Sequence, residues 1–165
     1  MTTKALFTRK SDEWMTPQWL VDWVHKFLPI GLDPCTTPAN PVRALKYYTK
    51  QDNGKTGPWW DVPRGHCVYV NPPYSDVSAW VDRVCQEKKH PLLLLVPARV
   101  DTKWWHQMLD RATSVLFFRG RLKFSERQTS APFPSALVGF HMDEHRFTDA
   151  FHDLGWVVNT ELRER

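Results

Sequence analysis

Four consecutive residues, Asn71-Pro72-Pro73-Tyr74, follow directly on the apolar run Cys67-Val68-Tyr69-Val70. Two prolines in succession remove two backbone donors and stiffen the turn, so the carbonyls before and between them are left as acceptors. The Asn71 amide oxygen adds a third acceptor, and Tyr74 adds a flat face. Convergent acceptors beside an aromatic plate suit an exocyclic NH2 on a planar base. The lone pair of such an amine is delocalised into its ring, which makes it a poor nucleophile. Acceptors on its two N–H bonds draw the nitrogen toward tetrahedral geometry and localise the pair, which can then attack a sulfonium methyl in line. Alignment of the two reactants is worth on the order of 7–11 kcal/mol at best. Fixed dipoles stabilise the charge that develops on nitrogen. No strong base is required, because the amine becomes acidic as the methyl arrives. A double-proline turn can also do no more than end a strand. Its place here, after an apolar strand, before a helix and downstream of a second candidate site, favours the functional reading.

That second site begins at Asp33, in Leu32-Asp33-Pro34-Cys35. Taken alone, Asp33 reads equally well as a solvated loop carboxylate. Thr16-Pro17, taken alone, is a helix start, with Thr16 as the cap and Pro17 in the first turn. A basic loop spans residues 119–133. In it Arg119, Arg121, Lys123 and Arg127 surround Phe124. Such a run usually marks a solvated face. Its place after a strand favours contact with phosphates, with Phe124 stacking on a base or holding the gap left by one. Arg99 is a weaker candidate for the same role. His66, His106 and His141 lack metal-ligand spacing, and no metal is expected.

The elements that must position these residues are readable from periodicity. Apolar residues at Trp19, Leu20, Trp23, Val24 and Phe27 predict a helix over 18–28. Strands are expected at 32–35, 44–49, 67–70, 91–96, 114–118, 134–140 and 155–160. Helices are expected over 75–89, capped by Ser75 or Asp76, and from a cap at Asp101 or Thr102 through Asp110. The run Leu92–Val96 is almost wholly apolar, as for a strand covered on both faces. Alternation of strands and helices around such strands indicates an α/β three-layer domain with a central, mostly parallel sheet. In such sheets a ligand lies beyond the carboxyl ends of the strands, where Asp33 and Asn71 fall.

Composition sets the outer bounds. A chain of 165 residues, 42% hydrophobic, suits one compact domain over 1–165, with 1–13 a polar and flexible segment. The formal charge of +4 permits phosphate contact without demanding it. Three cysteines without a C-x-x-C pair argue against a disulfide framework or a zinc ribbon, and fit reduced thiols. The N-terminus lacks an apolar signal core and the longest apolar run is too short to cross a bilayer, so a soluble cytoplasmic protein with no membrane partner is expected.

Several segments occur here in an order that resembles the phage-type DNA N-6-adenine methyltransferases, the small Dam-like proteins of phages and prophages. They are Asp12-Glu13-Trp14 with Thr16-Pro17, Leu32-Asp33-Pro34-Cys35 with Asn40, Asn71-Pro72-Pro73-Tyr74, and Pro97-Ala98-Arg99 with Asp101-Thr102 and Trp104. Gly120-Arg121-Leu122-Lys123-Phe124 and Ser130-Ala131-Pro132-Phe133-Pro134-Ser135 complete the series, so the likeness runs from Asp12 to about Phe140. The resemblance implies a Rossmann-like fold, S-adenosylmethionine as methyl donor and adenine in DNA as acceptor, in the cytoplasm of a bacterial host. It implies catalysis at Asn71, Pro72, Pro73 and Tyr74. It places the cofactor against Thr16, Pro17, Asp33, Pro34, Cys35 and Asn71, with Asp52 the candidate acidic residue for the adenosine part. Tyr74, Arg99, Arg119, Arg121, Lys123, Phe124 and Ser130 would then meet the DNA. One departure stands out. Amino-methyltransferases in general follow the first-strand Asp-Pro with a glycine-rich turn, whereas Pro34–Asn40 contains no glycine, a trait shared by the phage-type group.

A base inside a duplex cannot reach Asn71, so it must flip out or arrive single-stranded. No segment is long enough for a separate target-recognition domain, which predicts weak sequence specificity in a monomer or weak homodimer. The rival expectations are an amino-methyltransferase of RNA or protein, which share the Asn-Pro-Pro-Tyr turn, and a nucleic-acid-binding module without catalysis. A purely structural use of the scaffold has no sequence feature behind it.

Overall fold

The computed structural model describes residues 14–124 and 130–160. In chain order its elements are α1 (Gln18–Phe27), β1 (Ile30–Thr36), β2 (Lys46–Thr49), β3 (Cys67–Val70), α2 (Val77–Gln86, after a 3-10 turn at Tyr74–Asp76), β4 (Leu92–Pro97), α3 (Lys103–Leu109), β5 (Ser114–Phe118), β6 (Ser135–Phe140), α4 (Glu144–Phe151) and β7 (Gly155–Asn159). The strands form one open sheet in the order β2-β1-β3-β4-β6-β5-β7. β2, β1, β3 and β4 run parallel. β6 lies antiparallel between β4 and β5, and β7 runs antiparallel along β5. β5 therefore points the same way as β4, and the sheet is the mostly parallel, Rossmann-like one expected.

Helices cover both faces. On one, α2 and α3 lay Trp80, Val81, Val84, Trp105 and Met108 against Val68, Val70, Leu94 and Val96. On the other, α1 and α4 lay Leu20, Val24, Phe147 and Phe151 against Tyr69, Leu93, Leu95 and Leu137. Consecutive side chains of a strand point to opposite faces, so β4 must be apolar at every position, and Leu92–Pro97 is buried throughout. Each of its leucines contributes about 1.5–3 kcal/mol by leaving water.

Two expectations about helix caps need correction, and one helix is added. Thr16 does not cap α1. Pro17 is the cap residue, no side-chain cap bond forms, and the helix starts at Gln18. Asp76 stands at the cap position of α2 without a capping bond, its carboxylate engaged elsewhere. The segment after Met142, to which the sequence reading assigns no element before residue 155, holds α4. Asp143 caps it, accepting from the Arg146 N–H at 2.8 Å. Its buried Phe147 and Phe151, one helical turn apart, pack on Phe27 of α1 at ring-centre distances of 6.2 and 5.1 Å.

The topology sets the location of a site. From β1 the chain crosses to β2 on one side, and β3 then pairs with β1 on the other. That reversal opens a crevice beyond the carboxyl ends of β1 and β3. Asp33 lies on β1 and Asn71 immediately follows β3. Among the described residues no helix is long and apolar enough to cross a membrane.

Candidate active site

A cavity of about 630 Å³ opens at this crevice. Its size falls within the range of small-molecule and cofactor sites. Thr16, Asp33, Cys35, Asn71, Pro72 and Pro73 are among the residues lining it.

The geometry at Asp33 comes from Pro34. Proline cannot donate to a sheet ladder, and between Asp33 and Thr36 the register of β1 on β2 shifts. Three steps on β1 match two on β2, a bulge that turns the strand end away from its neighbour. The Asp33 carboxylate accepts from the Cys35 N–H at 3.0 Å and sits beside the Thr36 hydroxyl. It is only 3% exposed. Burial pushes its carboxyl up to about 7, against the weaker opposing pull of those hydrogen bonds. Such a group favours a cationic partner. The ammonium of an amino-acid ligand has the charge and donors to fit.

The glycine missing after β1 is supplied from another loop. A Cβ on Gly54 would stand 1.8 Å from the Pro34 carbonyl oxygen, so only glycine lets the loop after β2 lie on the bulge. That loop is tied down by the Trp59 indole, which donates to the Gly54 carbonyl at 2.9 Å. It is tied again by Lys55, whose ammonium pairs with Asp76 and lies 5.9 Å from the Trp80 ring centre. Lys55, Asp76 and Trp80 all line the cavity, and none of them is among the site residues expected from sequence. No local spacing links Lys55 to Asp76; the contact arises from the fold. Asn40, part of the resemblance, is structural here. Its amide donates to the Ala44 carbonyl at 2.9 Å and accepts from the Ala44 N–H at 3.1 Å.

At Asn71 the amide is fixed from one side. Its Nδ2 donates to the Trp14 carbonyl and to the Thr16 hydroxyl, the latter at 3.2 Å. A flipped amide would set its oxygen against the Trp14 carbonyl, acceptor against acceptor, so the orientation is determined. Oδ1 is thereby left as the acceptor. It is buried and has no partner among the described residues. The Tyr74 and Ser135 hydroxyls share that condition. Each unmet buried group of this kind costs about 1–3 kcal/mol. Thr16 also bonds the Tyr69 hydroxyl at 2.9 Å, which is where the side chain expected to cap α1 is engaged.

Tyr74 does carry aromatic neighbours, but they belong to the protein. Trp14 stacks on it with centres 6.4 Å apart, Phe133 meets it edge-on at 5.1 Å, and Phe124 does so at 6.3 Å. Burial pushes the Tyr74 phenol up, so it stays neutral. Phe124 is 1% exposed and so turned inward, contrary to the expectation of a ring offered to a base. Arg119, Arg121, Lys123, Arg99 and Ser130 are exposed and lie apart from the cavity lining. The basic loop starts at the carboxyl end of β5, which is the same edge of the sheet as Asn71. Arg127, Asp12 and Glu13 lie outside the described residues. Pro17 is buried at the start of α1 and does not line the cavity. Nor does Asp52, which is exposed and accepts from the Thr49 N–H and hydroxyl, both at 2.7 Å. Its neighbours Asn53, Gly54 and Lys55 line the cavity instead. Among the described residues no group of three His, Cys, Asp or Glu is placed to hold a metal ion.

Comparison with known proteins bears on this arrangement. The sequence model of the family described as DNA N-6-adenine-methyltransferase (Dam) matches residues 3–139. A curated relative, the DNA N-6-adenine-methyltransferase of Escherichia phage T1, is 25% identical over 114 residues. That alignment covers 67% of this chain and 46% of the relative, so the chain matches just under half of the phage protein's length.

Proposed function

The chain belongs to the DNA N-6-adenine-methyltransferase (Dam) family, and from that premise we propose that it methylates the N-6 amino group of adenine in DNA with S-adenosylmethionine as donor. The observation that carries the proposal is the Asn71 Oδ1: a buried acceptor without a partner among the described residues, on a side chain that lines the cavity, in an amide held by two hydrogen bonds on its nitrogen side.

Bound in the cavity, S-adenosylmethionine would supply an electrophilic methyl carried on a sulfonium. Asp33, Pro34 and Cys35 would hold its amino-acid end, with the ionised Asp33 opposite the ammonium. Asn53, Gly54, Lys55 and Trp80, which line the same cavity, would meet its nucleoside end.

Asn71 accepts a hydrogen bond from the substrate NH2 and so relieves its own unmet acceptor. That bond localises the amine lone pair and stabilises the charge the nitrogen gains during transfer. Fixed dipoles of this kind are worth about 2.7–4 kcal/mol per group. Pro72 and Pro73 keep the turn from yielding. Tyr74 provides the plate beside the base. In the present structure that plate is covered by Trp14 and Phe133, so a base enters only as those rings give way. A base leaving a duplex pays a similar unstacking cost of a few kcal/mol, and stacking on the freed aromatic surface offsets it. Arg99, Arg119, Arg121 and Lys123 then serve the phosphates from the same sheet edge.

The test is a product assay. The protein is incubated with isotopically labelled S-adenosylmethionine and, separately, with unmethylated DNA, RNA and a mixed protein extract, and the products are digested and resolved by mass spectrometry. The proposal expects label in N-6-methyldeoxyadenosine. Label confined to RNA or protein would replace it, and no label in any arm would contradict it.

A further inference from the structure

We infer that Thr16 is a positioning residue for the transfer, acting through the Asn71 amide and not on the cofactor. The inference rests on the reading above that Asn71 Oδ1 receives the substrate amine. An amide held at one of its two protons can still tilt about that bond, whereas one held at both keeps its plane. Here both are: one goes to the Trp14 carbonyl and the other to Thr16 Oγ1 at 3.2 Å. A backbone carbonyl is held by the chain, whereas a hydroxyl is a rotor. This rotor is locked by Tyr69, whose hydroxyl lies 2.9 Å from Thr16 Oγ1. Tyr69 is fully buried on β3, the strand that delivers Asn71, and Thr16 is 4% exposed just ahead of α1. The three side chains thus form a short chain, Tyr69 to Thr16 to Asn71, running from the sheet to the reacting edge. It ties the segment before α1 to the turn after β3, across 55 residues of sequence. Threonine suits the position because a hydroxyl can serve two partners at once while its methyl packs in the buried wall.

Loss of the Thr16 hydroxyl leaves one Nδ2 proton unbonded and the amide held on its nitrogen side by the Trp14 carbonyl alone, so that its plane can tilt about that one bond. A lost neutral hydrogen bond of this kind corresponds to about a tenfold change in rate when it acts on the transition state alone. Thr16→Val should therefore lower kcat about tenfold while the dissociation constant of S-adenosylmethionine, measured by calorimetry, stays within about threefold. Thr16→Ser keeps the hydroxyl and should stay close to wild type. A second readout needs no activity. In 15N-labelled protein both Asn71 side-chain amide protons should exchange slowly with solvent, and in Thr16→Val one of them should exchange fast. If Thr16→Val does not fold, Tyr69→Phe carries the same test, because it unpins the rotor with little change in volume; faster exchange at one Nδ2 proton supports the inference. Unchanged exchange of both protons in the variant would overturn it. So would a Thr16→Val enzyme with unchanged kcat but weakened cofactor binding, since Thr16 would then be a cofactor contact. Should exchange respond as expected while the wild-type protein methylates no DNA, the positioning of the amide stands and the methylation reading falls.

Discussion

Replacing Asp33 by asparagine should stabilise the protein in the absence of cofactor, and the gain should depend on pH. Asp33 is 3% exposed, and burial lifts its carboxyl from the ordinary range near 4 to about 7. A raised carboxyl favours the folded state while it is protonated in both states. That advantage is lost as pH rises from about 4, where the unfolded chain ionises, to about 7, where the folded protein does. Above this window the ionised, buried group costs about 4 kcal/mol of folding free energy, on the order of a third or more of the stability of a typical domain. At pH 5 the folded protein still holds its proton and the cost is below about 2 kcal/mol. An asparagine side chain at this position carries no such cost, and its amide oxygen can still accept from Cys35. Urea unfolding without cofactor should place Asp33→Asn about 4 kcal/mol above wild type at pH 8 and less than about 2 kcal/mol above it at pH 5. A variant less stable than wild type at pH 8, or equally favoured at both pH values, would refute the argument. It would mean that the carboxylate is already compensated within the folded chain.

The same carboxyl governs ligand affinity. If it meets the cofactor ammonium, the dissociation constant of S-adenosylmethionine should fall about tenfold per pH unit up to about 7 and then level off, and Asp33→Asn should bind weakly with no such slope in calorimetric titrations. Gly54→Ala forces a Cβ onto the Pro34 carbonyl. It should lower stability by about 1–3 kcal/mol in thermal melts and weaken cofactor binding, because the loop after β2 must lift from the bulge. Replacing Arg119, Arg121 and Lys123 together by Ser should reduce the slope of log affinity for duplex DNA against log salt by about three, in fluorescence titrations over a salt series, with cofactor affinity unchanged.

The sequence made the sheet legible because burial on both faces leaves a plain signature. Cys67–Val70 and Ser114–Phe118 have the bounds read from their apolar runs, and Leu92–Pro97 differs by one residue at each end. Helix α4 is less visible because only Phe147 and Phe151 are buried in an otherwise polar segment, although Asp143 three residues before Arg146 is a usable capping signal. Within the site, Asn71 and Asp33 could be found because strand ends in parallel sheets are where ligands gather. The use of Thr16 could not, since its partners Tyr69 and Asn71 are remote in sequence and a Thr-Pro pair carries the same local signal whether or not it caps a helix. The burial of Phe124 does have a local signal, in alternation. In Arg121-Leu122-Lys123-Phe124 the basic residues are exposed and the apolar ones buried, a period of two that strands and extended loops share.

The central claim is that the Asn71 amide oxygen receives the substrate amine. Single-turnover transfer by Asn71→Ala at saturating S-adenosylmethionine tests it most directly, with cofactor affinity measured on the same sample. The account predicts a rate on unmethylated DNA reduced by about 10²–10³, with the cofactor dissociation constant within about threefold of wild type. A variant that transfers methyl groups at the wild-type rate, or loses activity only because it no longer binds the cofactor, would contradict it.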